Sequence, residues 1–83
     1  QVDNWNIEWV LNLASANLLL GELTESLHHV EKTVHLSFLI VQFEPSYMQA
    51  RYQLAVSLAA LGEMTQDVDC YQRALEQFQS LLE

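Results

Sequence analysis

Three side chains that can ligate metals lie close together in the sequence. His28, Glu31 and His35 are three and four residues apart, so on a helix they share one face. A structural zinc site needs four ligands, and a catalytic one needs three and a water. No second cluster along the chain supplies the rest, so we interpret these residues as a solvated polar face and expect no metal site.

Cys70 is the one cysteine of the chain and the obvious candidate nucleophile. A reactive cysteine needs a base and a lowered thiol pKa. Asp67 and Asp69 surround Cys70 with negative charge, which opposes thiolate formation, so we interpret it as a partly buried structural thiol. A single cysteine forms no internal disulfide, which fits a reducing compartment.

Other catalytic patterns are also missing from the sequence. The two Gly-Glu pairs, which begin at Gly21 and Gly62, each contain one glycine and place an acid where a phosphate would bind. Asp67 and Asp69 are two residues apart and would point away from each other on a helix. We therefore predict a protein that is not an enzyme and has no cofactor.

Charge and hydropathy narrow the range of partners. The 83 residues carry a net charge of −8, with Lys32, Arg51 and Arg73 as the only basic residues. Nucleic acids and anionic membranes need clustered cations, so we expect neither. No apolar run reaches the ~20 residues of a membrane span, and we expect no signal peptide. We expect a cytoplasmic segment of a longer protein.

An internal repeat organises the chain. The sequence LGELT at 20–24 recurs as LGEMT at 61–65, an offset of 41 residues (62 − 21). The match continues on both sides: Leu13-Ala14 with Leu54-Ala55, Leu27 with Val68, Val30 with Tyr71, Lys32 with Arg73, and Val34 with Leu75. Such self-similarity is typical of proteins built from stacked supersecondary units.

Apolar residues recur at helical spacing in four segments, and none shows the alternation of a half-buried strand. The predicted helices cover about 4–20, 24–43, 46–61 and 65–82. In the first, Trp5, Trp9, Leu13, Ala16 and Leu20 form the apolar stripe.

The expected helix ends follow from capping rules. Asp3 or Asn4 would cap the first helix, and Thr24 and Thr65 would cap the second and fourth. Gly21 and Gly62 would end the first and third in a left-handed conformation, and Pro45 would stop the second.

The fold class predicted from these segments is all-α. Short connections make neighbouring helices antiparallel, which gives two stacked helical hairpins at about 4–44 and 46–83 within one module, 1–83. The alternative is an antiparallel four-helix bundle.

The second half resembles the tetratricopeptide repeat, a helical hairpin with an acidic glycine turn. Leu54-Ala55, the turn at 62–64, Tyr71 and Ala74 match positions of that family. Arg51 occupies a position where the family often has tryptophan, and the period is 41 rather than 34. We place the seven extra residues between 32 and 45, where they add about two helical turns to the second helix.

The resemblance implies a scaffold or adaptor that binds a protein or peptide. In this family the first helix of each hairpin lines the concave surface. The corresponding partner-binding candidates are Glu8, Asn12, Ser15, Gln49, Tyr52, Gln53 and Val56. These residues do not supply the cations with which some relatives clamp acidic tails, so we expect a neutral, apolar or basic peptide.

The alternative function is homo-oligomerisation within a larger protein, for example as a homodimer. Two repeats are fewer than the three that such arrays usually need for stability. The possible interface residues are Trp5, Trp9, Ile40, Phe43, Phe78 and Leu82. We expect the two tryptophans to pack in the core, with an interface as the alternative. We also expect a twenty-residue second helix to overhang its neighbours and expose Ile40 and Phe43.

Overall fold

The computed structural model describes residues 6–82, and within them the chain forms four α-helices. These are α1 (Ile7–Thr24), α2 (Leu27–Phe43), α3 (Met48–Thr65) and α4 (Val68–Leu82). No strand occurs in this part of the chain, so the predicted all-α fold is confirmed.

The helices stack as two antiparallel hairpins, α1 with α2 and α3 with α4. Helix α2 packs on α3, and α1 also contacts α3. Within residues 6–82, the Cα trace of α4 does not come within 8 Å of α1 or α2. The result is a slab of 37 × 30 × 16 Å rather than a bundle in which the last helix returns to the first.

The core lies where the two hairpins meet. Its largest fully buried side chains are Ile40 and Val30 of α2. Leu54 and Leu58 of α3 are nearly as well buried, at 3% and 5% exposed. The remaining buried hydrophobic residues are Leu11, Ala14, Leu18, Val41, Ala50, Ala55 and Ala74. Many of these are alanines, so the helices approach one another closely.

The two glycines do not end helices, and that prediction is wrong. Gly21 lies inside α1 and Gly62 inside α3, and neither has a positive φ. A Cβ added at Gly21 would lie 2.7 Å from Cγ2 of Val30 in α2. The glycine is needed because α2 passes so close to it, not because the backbone turns there.

The left-handed residues that end the helices are Glu25 and Gln66, with φ of 56° and 58°. Each lies four positions after its glycine, and the carbonyl of that glycine accepts their backbone N–H. The next residues, Ser26 and Asp67, donate their backbone N–H groups to the same carbonyls at 2.8 and 3.0 Å, which is the 6→1 hydrogen bond of a Schellman-type helix end. The same ending occurs twice, 41 residues apart, so the sequence repeat is also a repeat of backbone conformation.

The predicted threonine caps are also wrong. Thr24 and Thr65 are the last residues of α1 and α3, and their hydroxyls donate to the carbonyls of Leu20 and Leu61 at 2.6 and 2.7 Å. Ser26 occupies the N-cap position of α2. A threonine hydroxyl can bond back to the preceding turn, so its presence near a helix boundary does not show on which side it lies.

The starts of α1 and α4 have side-chain caps. The Asn6 side chain accepts hydrogen bonds from the N–H groups of Glu8 and Trp9, and the Asp67 carboxylate accepts one from Asp69. The caps expected at Asp3 or Asn4 lie outside the described residues. Helix α2 ends two residues before Pro45, as predicted.

Helix α2 does not overhang its neighbours. It has 17 residues against 18 in α3, because it begins at Leu27 instead of Thr24. Ile40 is 1% exposed and belongs to the core, so its assignment to an exposed interface is wrong. Phe43, at the end of α2, is about half exposed.

The apolar stripe predicted for α1 is on the side that the other helices leave uncovered. Trp9 is 73% exposed, and Leu13, Ala16 and Leu20 are exposed as well. The buried face of α1 instead carries Leu11, Ala14, Leu18 and Gly21. Core packing of Trp9 is therefore a wrong prediction, and Trp5 lies outside the described residues.

Candidate functional site

Helices α1 and α3 lie side by side and enclose a shallow depression of about 230 Å³, which we name the α1–α3 groove. Its lining residues are Leu11, Asn12 and Ser15 of α1 and Gln49, Tyr52 and Gln53 of α3. The groove exists because the first helix of each hairpin presents an equivalent face on the same side of the slab.

One hydrogen bond joins the two helices at this groove. The Ser15 hydroxyl donates to Oε1 of Gln53 at 3.1 Å. The amide nitrogen of Gln53 has no partner among residues 6–82 and can donate to a ligand. The Ser15–Gln53 bond thus links the two helices across the groove and orients one amide.

Tyr52 supplies an aromatic wall to the groove. Its side chain is more than half exposed, and its ring meets Phe78 of α4 edge to face, with centroids 6.3 Å apart. Phe78 is half-buried and packs against the core. The Tyr52 ring therefore packs against Phe78 with one part of its surface, while another part faces solvent.

The α1–α3 groove has no charged side chain among its lining residues. Arg51 is held elsewhere, since its guanidinium donates to Oε1 of Gln77 at 3.1 Å and to the Pro45 carbonyl at 2.8 Å. Arg73 lines a different groove, and Lys32 lies on the exposed side of α2. The site is a polar, uncharged surface on a strongly acidic chain.

The structure brings together five of the seven partner-binding candidates, Asn12, Ser15, Gln49, Tyr52 and Gln53. Glu8 is exposed in the first turn of α1, and Val56 is half-buried; neither lines the groove.

Leu11 lines the groove but was not predicted. The 41-residue offset aligns Leu11 with Tyr52, so extending the repeat alignment by two positions towards the N-terminus would have identified Leu11.

The interface candidates are scattered over the slab. Trp9 is on the outer side of α1, Phe43 is at the end of α2, and Leu82 is 88% exposed at the end of α4. Phe78 lies half-buried behind Tyr52. These four residues lie on three helices, and within the described residues α1 does not contact α4, so they do not form one continuous surface.

A second groove, of about 510 Å³, runs between α2 and α4 over the surface of α3. Apolar side chains of α2 and α3 form part of its lining, and polar side chains of α4 form another part. The lining residues are Val34, His35, Phe38, Leu54, Leu58, Arg73, Glu76 and Gln77. This groove was not predicted from the sequence, because it arises from the gap between α2 and α4, which do not contact each other within the described residues.

The candidate metal ligands line an open surface depression of about 450 Å³ together with Lys32 and Leu36. No group of three His, Cys, Asp or Glu side chains in residues 6–82 is arranged to hold a metal ion. A lysine beside His28 and His35 would also repel a bound cation.

The Cys70 thiol is in an acidic environment at the start of α4. It donates to Oδ2 of Asp67 at 3.7 Å. Burial, and after it the negative charge of Asp67, raises the pKa of the Cys70 thiol. A raised pKa lowers the thiolate fraction at neutral pH, which opposes a nucleophilic role.

Comparisons with protein-family models, curated proteins and solved structures found no match to this chain. No helix in the described part of the chain combines the length and the apolarity that crossing a membrane requires. The geometry of the grooves is therefore the basis for a functional proposal.

Proposed function

We propose that this chain is a non-catalytic, tetratricopeptide-like module that binds a protein through an extended peptide in the α1–α3 groove. The observation that supports it best is the groove itself, an uncharged strip of amides and a hydroxyl beside Tyr52. The order of packing, in which α3 contacts both helices of the first hairpin, supports the likeness to that family.

The side chains of the groove suit a peptide backbone. Asn12, Gln49 and Gln53 can each donate and accept hydrogen bonds, as a main-chain amide and carbonyl require. Tyr52 offers an apolar ring with a polar end, a common anchor at interfaces. Such a surface can hold many sequences, so selectivity would come from charge around the groove.

The charge of the chain favours basic over acidic peptides. The net charge is −8, and no cation lines the groove. An acidic peptide would meet repulsion without a compensating contact, whereas a basic peptide would be attracted over a distance set by ionic strength. A neutral peptide would bind without either effect.

Three synthetic peptides with one shared central sequence test this proposal. They are flanked by glutamine, by lysine or by glutamate, and binding to the full chain is followed by fluorescence anisotropy. We expect affinity to fall in the order lysine, glutamine, glutamate, and the lysine peptide to weaken as salt rises. Tightest binding by the glutamate peptide would overturn the proposal.

Charge variants locate the site on the chain. Asn12→Lys and Gln49→Lys each add a cation at the groove and should reduce binding of the lysine peptide about two- to fivefold. Gln72→Lys makes the same charge change on the exposed side of α4, outside the groove, and serves as the matched control. Equal effects from all three variants would mean that only net charge matters and that the groove is not the site.

A further inference from the structure

The outer side of α1 has an internal counterpart in α3. With the 41-residue offset, Trp9, Leu13, Ala16 and Leu20 of α1 correspond to Ala50, Leu54, Ser57 and Leu61 of α3. We name the four residues of α1 the α1 end face. Their counterparts are buried or half-buried, since α2 packs on that side of α3.

The difference in exposure between counterparts is large. Leu13 is 51% exposed, and Leu54 is 3% exposed. Trp9 is also mostly exposed, whereas Ala50 is fully buried. The α1 end face is therefore an exposed apolar surface, whereas α2 covers the equivalent surface of α3.

The opposite side of the slab shows the same relationship. Leu75 and Leu82 of α4, which we name the α4 end face, correspond to Val34 and Val41 of α2. Val41 is 8% exposed in the core, but Leu82 is almost fully exposed, and Leu75 is half exposed where Val34 is half-buried. Leu75 and Leu82 thus form on α4 an exposed surface that is equivalent to the surface of α2 that packs on α3.

We propose that copies of this chain assemble head to tail, with the α4 end face of one copy packed on the α1 end face of the next. The contact would repeat the α2–α3 interface already present inside each chain, with α4 in the role of α2 and α1 in the role of α3. The two surfaces differ, so the interface is heterologous and can add further copies instead of stopping at a dimer.

The charge of the chain gives this assembly a distinctive salt dependence. Each copy carries a net charge of −8, so copies repel one another at low ionic strength. Salt screens this repulsion, and apolar contacts between the end faces are not weakened by it. Self-association should therefore strengthen as salt rises, which is the opposite of the trend for a basic partner.

A complementation experiment tests the proposal with the full chain. Leu13→Asp disrupts the α1 end face, and Leu75→Asp disrupts the α4 end face; each variant keeps the other face intact. We expect the unmodified chain to form species larger than a dimer in sedimentation velocity and each variant alone to stay monomeric. An equimolar mixture of the two variants should form a dimer through the two intact faces.

Leu39→Asp is the matched control, because Leu39 is an exposed leucine of α2 that belongs to neither end face. It should assemble like the unmodified chain, and circular dichroism melts should show that all three variants fold. Three results would overturn the proposal: an unmodified chain that stays monomeric at ~100 µM, far above a micromolar dissociation constant; loss of assembly with one variant only; or equal loss with Leu39→Asp.

The end faces and the α1–α3 groove share no residue, so the two proposals fail independently. Loss of peptide binding in the groove variants leaves head-to-tail assembly untouched. Monomeric behaviour of the unmodified chain likewise leaves the peptide titrations interpretable.

Discussion

Gly21 of α1 and Val30 of α2 are in such close contact that no other residue fits at position 21 without a shift. An added Cβ would lie 2.7 Å from Cγ2 of Val30 and 3.1 Å from its backbone nitrogen. Val30 is fully buried, and a β-branched side chain in a helix has one strongly preferred rotamer. The close approach of the first two helices depends on this pair.

Gly21→Ala should therefore destabilise the fold. Overpacking of a rigid site costs about 1–3 kcal/mol, and the better helix propensity of alanine returns about 1 kcal/mol. We expect a net loss of up to about 2 kcal/mol in the free energy of unfolding, measured by urea denaturation.

Gly62→Ala is the internal control for that measurement. The nearest atoms to an added Cβ there are 3.2–3.3 Å away, so the neighbours need to move only slightly. Its net effect should lie near zero. A Gly21→Ala variant as stable as Gly62→Ala would contradict the close approach of α1 and α2.

Two small polar residues on the buried face of α2 should respond in opposite ways to removal of their hydroxyls. The Thr33 hydroxyl donates to the Ala14 carbonyl at 2.9 Å and lies 3.1 Å from the His29 carbonyl. The Ser37 hydroxyl is fully buried and has no partner among the described residues. Thr33→Val should cost about 1 kcal/mol, and Ser37→Ala should be neutral or stabilise by up to about 1 kcal/mol.

Thermal melts of the two single variants decide this point. Each substitution leaves the backbone pattern of α2 unchanged, so the comparison isolates the hydroxyl groups. If Ser37→Ala destabilised as much as Thr33→Val, the Ser37 hydroxyl would have a partner and the packing around it would differ from that described.

The left-handed residues Glu25 and Gln66 should each be improved by glycine. A side chain at φ near 57° is strained, and glycine adopts that conformation without a steric penalty. Glu25→Gly and Gln66→Gly should each stabilise by about 0.5–1 kcal/mol in chemical denaturation. Glu22→Gly, inside α1, should instead destabilise by about 1 kcal/mol.

Cys70 offers a readout of local charge. Its thiol pKa is raised first by burial and then by the negative charge of Asp67, so removing that charge should lower the pKa and increase the thiolate fraction at neutral pH. We expect Asp67→Asn to speed alkylation by iodoacetamide about two- to fivefold while keeping an oxygen that can cap α4.

Asp69→Asn is the comparison for the alkylation rate, because Asp69 is the smallest of the influences on Cys70. It should change the rate less than Asp67→Asn does. An unchanged rate in Asp67→Asn, with α4 still folded, would show that the Asp67 carboxylate does not control the thiol.

The sequence repeat and its helical periodicity predicted the order of the helices, and the resemblance to the tetratricopeptide repeat implied most of the residues that line the groove. Leu54-Ala55 and Leu13-Ala14 lie at equivalent places in α3 and α1, as the offset requires. Pro45 ended α2 through a steric effect of its own ring on the preceding residue. Features of this kind need no knowledge of the neighbouring helices.

The errors came from properties that only packing decides. A glycine followed by an acid resembles a helix end, but at Gly21 the reason is contact with Val30 of another helix. Periodicity also groups Trp9 with Leu13 without telling which side of α1 is covered, since leucines occur nearly all round that helix. The burial of Ile40 similarly depends on where α3 lies.

Amide NMR of the full chain, titrated with the lysine-flanked and glutamate-flanked peptides, tests the central claim most directly. We predict that the lysine peptide shifts resonances of Asn12, Ser15, Gln49 and Gln53, which lie together only in the folded groove. The glutamate peptide should cause smaller shifts at the same concentration. Shifts centred on Phe38 and Arg73 in the groove between α2 and α4, or stronger shifts with the glutamate peptide, would contradict the account.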